Sequence, residues 1–143
     1  MTNRGKQFAR SAICSEKTRH RGEKLKRGDI YFIKRKSHPN TGSEQRSGRP
    51  AIIVSNNVGN CCSQVLEVVY MTTKYKPSLP THVEINSVLN PSTALCEQIN
   101  TISKARLGRY IGRVSKEELS GIDNALLISL GLLRARGNKK RGG

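Results

Sequence analysis

Two residues stand where a polar segment meets an apolar one, and both suit a phosphate. Arg49 closes the polar stretch 36–48 and opens the apolar run Pro50-Ala51-Ile52-Ile53-Val54. Its planar guanidinium can grip phosphate oxygens with two parallel N–H donors, and a strand start anchors its backbone. Thr72 follows a second apolar run, Val65 to Met71, and offers a hydroxyl that can donate to a phosphate oxygen. Glu44, Glu97 and His82 are the groups that could move a proton, and the choice among them stays open at this point. Lys36, Arg46 and Lys74 could meet further phosphates. Taken singly, each has a plain alternative. Arg49 could pair with Glu44 or Asp29, a threonine at a strand end is usually structural, and so is a single histidine on a strand.

The charge of the chain agrees with an anionic ligand. The net charge is +16, and it is unevenly spread. Residues 1–27 hold nine Lys/Arg against two Glu, and residues 134–143 hold five Lys/Arg and no acid. The stretch between them is only +4. A polyanionic partner follows, with nucleic acid the first candidate, although charge alone says nothing of catalysis.

The elements that must position these residues are mostly strands. At 143 residues the chain has the size of one domain, and with 4% aromatics and no Trp its core must be aliphatic. Strands are expected at Asp29 to Ile33, Pro50 to Val54, Val65 to Met71, Thr81 to Ile85, Ala94 to Ile102 (as one strand or a bent pair) and Tyr110 to Val114. A turn is expected at Asn56 to Asn60. Ser115-Lys116-Glu117-Glu118 then forms a capping box, and Leu119, Ile122, Leu126, Leu130 and Leu133 recur on one helical face. The reading is a mainly β (α+β) chain: a small, strongly curved sheet or barrel of five to seven strands with a C-terminal amphipathic helix. Residues 1–24 read as a flexible basic extension, 25–133 as the folded domain and 134–143 as a basic disordered tail.

Some classes are set aside. No apolar run approaches the roughly 18 residues of a membrane span, and the basic N-terminus lacks the apolar stretch of a secretory signal, so a cytoplasmic protein is expected. Cys14, Cys61, Cys62 and Cys96 form no C-x-x-C pair, no histidines cluster at zinc spacing, and four free thiols are expected.

Read in order, Lys26-Arg27-Gly28-Asp29-Ile30-Tyr31-Phe32, Gly42-Ser43-Glu44-Gln45 with Arg49-Pro50, and Met71-Thr72-Thr73 form one series. Leu79-Pro80-Thr81-His82-Val83-Glu84-Ile85, Cys96-Glu97-Gln98-Ile99-Asn100-Thr101-Ile102 and Ile128-Ser129-Leu130-Gly131-Leu132 continue it. In this order and spacing the set resembles the MazF/PemK family of type II toxins over roughly three quarters of the chain. The basic loop segment Lys34-Arg35-Lys36-Ser37-His38-Pro39 and the N-terminal extension depart from the family pattern.

The resemblance implies an SH3-like or CcdB-like β-barrel, a homodimer, a cognate acidic antitoxin, and cleavage of single-stranded RNA. Arg49 and Thr72 match the family's catalytic pair. Ser43, Glu44, Gln45, Glu97, Gln98 and His82, with Lys36, Arg46 and Lys74 at flanking phosphates, are the RNA-binding candidates. No cofactor or metal is implied, because a fixed cation can meet the phosphorane while the ribose 2′-OH attacks in line, leaving a 2′,3′-cyclic phosphate and a 5′-OH. Two other functions fit parts of the sequence. The related CcdB barrel is a gyrase poison, and the tail charge alone would suit a non-enzymatic nucleic-acid-binding module.

Overall fold

The computed structural model describes residues 24–36 and 48–135. Six strands form one antiparallel sheet: β1 (Asp29–Ile33), β2 (Arg49–Ile53), β3 (Val65–Thr72), β4 (His82–Ile85), β5 (Ser92–Ser103) and β6 (Leu107–Arg113). Their order across the sheet is β4-β5-β3-β2-β1-β6. A short helix α1 (Asn57–Cys62) links β2 to β3, and α2 (Lys116–Ser129) follows β6.

Chain connectivity forces this sheet to curl. Only the 3-10 turn Lys104–Arg106 joins β5 to β6, yet three strands separate them in the sheet order. In a flat sheet that separation is at least about 19 Å. The backbone from Ser103 to Leu107 reaches at most about 14 Å even when extended. The sheet therefore wraps into a barrel-like form, with β4 and β6 left as unjoined edges.

Both faces of the central strands are buried, which is why β2 reads as an unbroken apolar run. One face carries Ile30, Ile52, Val69, Met71, Ala94 and Cys96, and α2 covers it with Ile122 and Ala125. The other carries Tyr31, Ile33, Ala51, Ile53, Leu66, Val68, Ile102 and Leu107, and among the described residues no helix contributes to it. The mainly β barrel with a C-terminal helix expected from the sequence is the architecture found.

Three local expectations are corrected. The Asn56–Asn60 segment is not a simple turn: Asn56 caps α1 by accepting from the Gly59 N–H at 2.7 Å, and Asn60 is buried with its amide donating to the Ser55 carbonyl at 2.8 Å. Asparagine suits turns and helix caps alike, so composition could not separate the two. The apolar stripe of α2 stops early as well. Leu119, Ile122 and Leu126 pack inward, but the helix ends at Ser129, Gly131 turns the chain at φ +74°, and Leu130 and Leu133 are exposed. Finally, Cys62 and Cys96 are free thiols but Cys61 is disulfide-bonded, which depends on the thiols a fold brings together and not on their count.

The capping box forms as expected and does more. Glu118 Oε1 accepts from the Ser115 N–H at 2.8 Å, and the Ser115 hydroxyl accepts from the Glu118 N–H at 3.1 Å. Oε2 accepts from Asn86 N–H at 2.6 Å and Ser87 N–H at 3.2 Å, tying the helix start to the turn after β4.

Candidate active site

Strand register brings Arg49 and Thr72 together. β2 and β3 pair with Ala51 across from Tyr70, Ile52 from Val69 and Ile53 from Val68. Continued two residues, the same register sets Arg49 across from Thr72. Since side chains alternate along a strand, Arg49, Ala51, Tyr70 and Thr72 share one face. Arg49 is exposed, with its guanidinium carbon 4.8 Å above the centre of the half-buried Tyr70 ring.

Of the two acids considered as partners for Arg49, Glu44 lies outside the described residues and Asp29 makes no ion pair with it. Asp29 accepts from the Lys26 N–H at 2.9 Å and lies 3.9 Å from Arg113 Nε, so it is already engaged. Gly48 fixes the approach to Arg49. A Cβ there would lie 2.1 Å from the Ile33 carbonyl oxygen and 2.6 Å from Phe32 Cε1, so only glycine lets the chain lie this close against β1.

Thr72 is half-buried, and its Oγ1 accepts from the Lys74 N–H at 3.2 Å. A hydroxyl that accepts once still has its proton to donate, so the contact orients the group without using it up.

Glu97 and Gln98 reach the same neighbourhood through a bulge in β5. Val69 pairs with Ile99 and Met71 with Ala94, so Tyr70 alone stands opposite the four residues Leu95 to Gln98. The extra residues break the ladder beside Tyr70 and turn Glu97 and Gln98 out, where both are exposed. The segment expected as one strand or a bent pair is thus one long, bulged strand.

His82, at the start of β4, holds this bulge. Its side chain is only 7% exposed, with Nε2 2.9 Å from Glu97 Oε1 and Nδ1 2.8 Å from the Pro77 carbonyl oxygen. The Pro77 carbonyl can only accept, so Nδ1 donates to it, and Nε2 is left to meet the Glu97 carboxyl. Burial raises the Glu97 carboxyl, but hydrogen bonds from His82, the backbone and Thr81, together with the His82 charge, outweigh it and pull the carboxyl below its ordinary value. Next to it, burial first and the Glu97 charge second push the Cys96 thiol up to about 12, which leaves it an unreactive packing group.

Of the remaining candidates, Lys74 is exposed just after Thr72, and Lys36 is exposed after β1. Ser43, Glu44, Gln45 and Arg46 lie outside the described residues, as do 1–23 and 136–143 and with them most of the two basic ends. Tyr70 is the residue that sequence reading missed. A tyrosine two positions before Thr72 in a strand must share its face, and that signal was present. Among the described residues no three His, Cys, Asp or Glu side chains gather as a metal site, and no helix is long and apolar enough to cross a membrane.

Comparison with known proteins bears on this arrangement. Residues 26–130 match the family model described as PemK-like, MazF-like toxin of type II toxin-antitoxin system. The chain belongs to this toxin family. It is 40% identical over 114 residues to Endoribonuclease EndoA of Bacillus subtilis (strain 168), covering 76% of this chain and 97% of that protein. A solved endoribonuclease in complex with its cognate antitoxin, from a mycobacterial species, superposes with a TM-score of 0.65 at 27% identity, over 78% of this chain and 99% of that one. A MazE–MazF structure from Deinococcus radiodurans shares the fold, with a TM-score of 0.65 at 18% identity over 78% and 99% of the two chains. The MazF/PemK resemblance read from the motifs is therefore the family of this chain, and the described barrel and α2 make up most of the matched region.

Proposed function

We propose that this toxin is a sequence-specific endoribonuclease that cuts single-stranded mRNA with no metal ion, using Arg49 and Thr72. The observation that carries the reading is their register: a guanidinium and a hydroxyl on one face of two neighbouring strands, in a family member 40% identical to an endoribonuclease. The 2′-OH next to the scissile phosphate attacks phosphorus in line, and the 5′-oxygen of the following nucleotide leaves. Arg49 meets the charge gathering on the non-bridging oxygens through its paired N–H donors, while Thr72 donates to one of them. The products are a 2′,3′-cyclic phosphate and a 5′-OH.

Glu97, held by His82, and Gln98 read base edges beside this centre, as amides and carboxylates do in single-stranded RNA recognition. Ser43, Glu44, Gln45 and Arg46 would serve from the loop before Arg49, and Lys36 and Lys74 would hold flanking phosphates. The toxin acts as a homodimer in the cytoplasm. It is opposed by an antitoxin whose acidic, flexible segment folds onto the cationic cleft, a partnership suggested by the mycobacterial complex.

The test is cleavage of unstructured RNA by purified protein in EDTA, with end-group analysis of the fragments. Cleavage should persist, and the new 5′ ends should accept phosphate from polynucleotide kinase without prior phosphatase treatment. Arg49→Ala should lose about 100- to 1,000-fold in rate with an unchanged circular-dichroism spectrum. Full activity in both Arg49→Ala and Thr72→Ala would remove the site assignment.

A further inference from the structure

We propose that Tyr75 is a stacking platform for a nucleobase beside the scissile phosphate. The proposal rests on the RNA-cleaving reading of the Arg49–Thr72 site and adds a binding group to it. Tyr75 is 91% exposed. The other three tyrosines all engage their rings: Tyr31 and Tyr110 meet edge to face with centroids 5.3 Å apart, and Tyr70 lies beneath Arg49. Of the four tyrosines, all among the described residues, Tyr75 is the one that offers a bare ring to solvent.

The surroundings point to a nucleic acid. Lys74 and Lys76 flank Tyr75 in sequence and are both exposed, so an aromatic ring and two cations share one short exposed segment, the combination that single-stranded nucleic acid meets with bases and phosphates. The segment is also held at both ends. On one side the Lys74 N–H donates to Thr72 Oγ1 at 3.2 Å. On the other, His82 Nδ1 donates to the Pro77 carbonyl at 2.8 Å, and His82 is itself fixed by Glu97. Pro77 fixes its own φ and keeps Lys76 extended. The ring is thus carried on a short, tethered arm, and three residues of backbone, at most about 11 Å, separate it from Thr72. A strand crossing Arg49 and Thr72 passes within reach. Because every base has a π face, stacking here would strengthen binding without reading sequence, a role separate from that of Glu97 and Gln98.

The chain has no tryptophan, which makes Tyr75→Trp a single fluorescent reporter that keeps the stacking surface. The probe is a pool of randomised single-stranded RNA with 2′-O-methyl riboses, which cannot be cut by 2′-OH attack. Binding is read by anisotropy of a label on the RNA and by the tryptophan emission. Tyr75→Phe and Tyr75→Trp should bind as the parent does, and the Tyr75→Trp emission should be quenched by the RNA. Tyr75→Ala and Tyr75→Leu should bind about 5- to 100-fold more weakly. Unchanged affinity of Tyr75→Ala, or tryptophan emission that RNA does not alter, overturns the proposal. So does a Tyr75→Ala variant that loses affinity for a protein partner and not for RNA. A parent protein that binds no RNA at all would instead refute the reading of the Arg49–Thr72 site, a distinguishable failure.

Discussion

The Arg49 guanidinium carbon lies over the Tyr70 ring, 4.8 Å from its centre, on the strand that ends in Thr72. The ring limits where a long, exposed side chain can swing. An exposed contact of this kind contributes about 0.5–1 kcal/mol. Tyr70→Ala should therefore slow cleavage about 2- to 5-fold, mainly in kcat, and Tyr70→Phe should restore it. Arg49→Lys should not substitute for Arg49, because a point charge cannot hold two phosphate oxygens in a fixed fork. Single-turnover rates at saturating RNA check all three.

Gly48 ties this geometry to the backbone. An added Cβ would meet the Ile33 carbonyl and the Phe32 ring, and the carbonyl cannot rotate away as a side-chain end could. Gly48→Ala should cost about 1–3 kcal/mol by forcing a backbone shift. Because the shift falls one residue before Arg49, activity should fall further than the lost stability explains. Urea denaturation alongside cleavage rates measured well below the unfolding transition separates the two effects.

Much of this was legible in the chain because strand chemistry is local. The β-branched and aromatic runs at Asp29–Ile33 and Val65–Thr72 mark strands within a residue or so of where they lie, and the Ser115/Glu118 capping box marks the start of α2. What could not be read depends on contacts between distant segments. The bulge at Leu95 to Gln98 exists only relative to the register of β3. The commitment of His82 to Glu97 and Pro77 joins β4, β5 and the loop between β3 and β4, and nothing within any one of them announces it. The early end of the α2 stripe turns on Gly131, whose effect on two further leucines no periodicity count includes.

Glu118 gives a pH dependence with a definite sign. Burial raises its carboxyl, but hydrogen bonds from Ser115, Ser87 and Asn86 dominate and lower it to about 2 from an ordinary 4.5. A carboxyl lowered by folding stabilises the native state above its unfolded value, and that contribution fades as pH falls toward the folded value. Glu118→Gln should thus be less stable than the parent at pH 7. The gap should narrow below about pH 4.5 and be small near pH 2. Thermal unfolding at a series of pH values measures it, and a gap that stays constant would show that the charge of Glu118 contributes nothing.

His82 should act through what it holds. With its side chain buried and both nitrogens engaged, its removal frees the Glu97 carboxylate on one side and the Pro77 end of the loop on the other. Two separable losses follow from His82→Ala. The loop should open more often, so trypsin should cut faster after the exposed Lys74 (the Lys76 bond precedes proline and resists). Glu97 should lose the partner that aims it, so RNA should bind more weakly while the rate at saturation falls less. Glu97→Gln separates the two. It keeps a hydrogen-bonding side chain for His82, so the loop should stay largely protected, but it removes the carboxylate, so RNA preference should change. The pair also has a pH limit. The Glu97 carboxyl is held below its ordinary value, so its contribution is present above pH 4.5 and is lost as the pH falls through that lowered value. RNA binding by the parent should weaken toward that of Glu97→Gln as the pH falls below 4.5, which ties binding to the carboxylate. Slow cleavage in His82→Ala at pH 7 would mean the loop is held by something else.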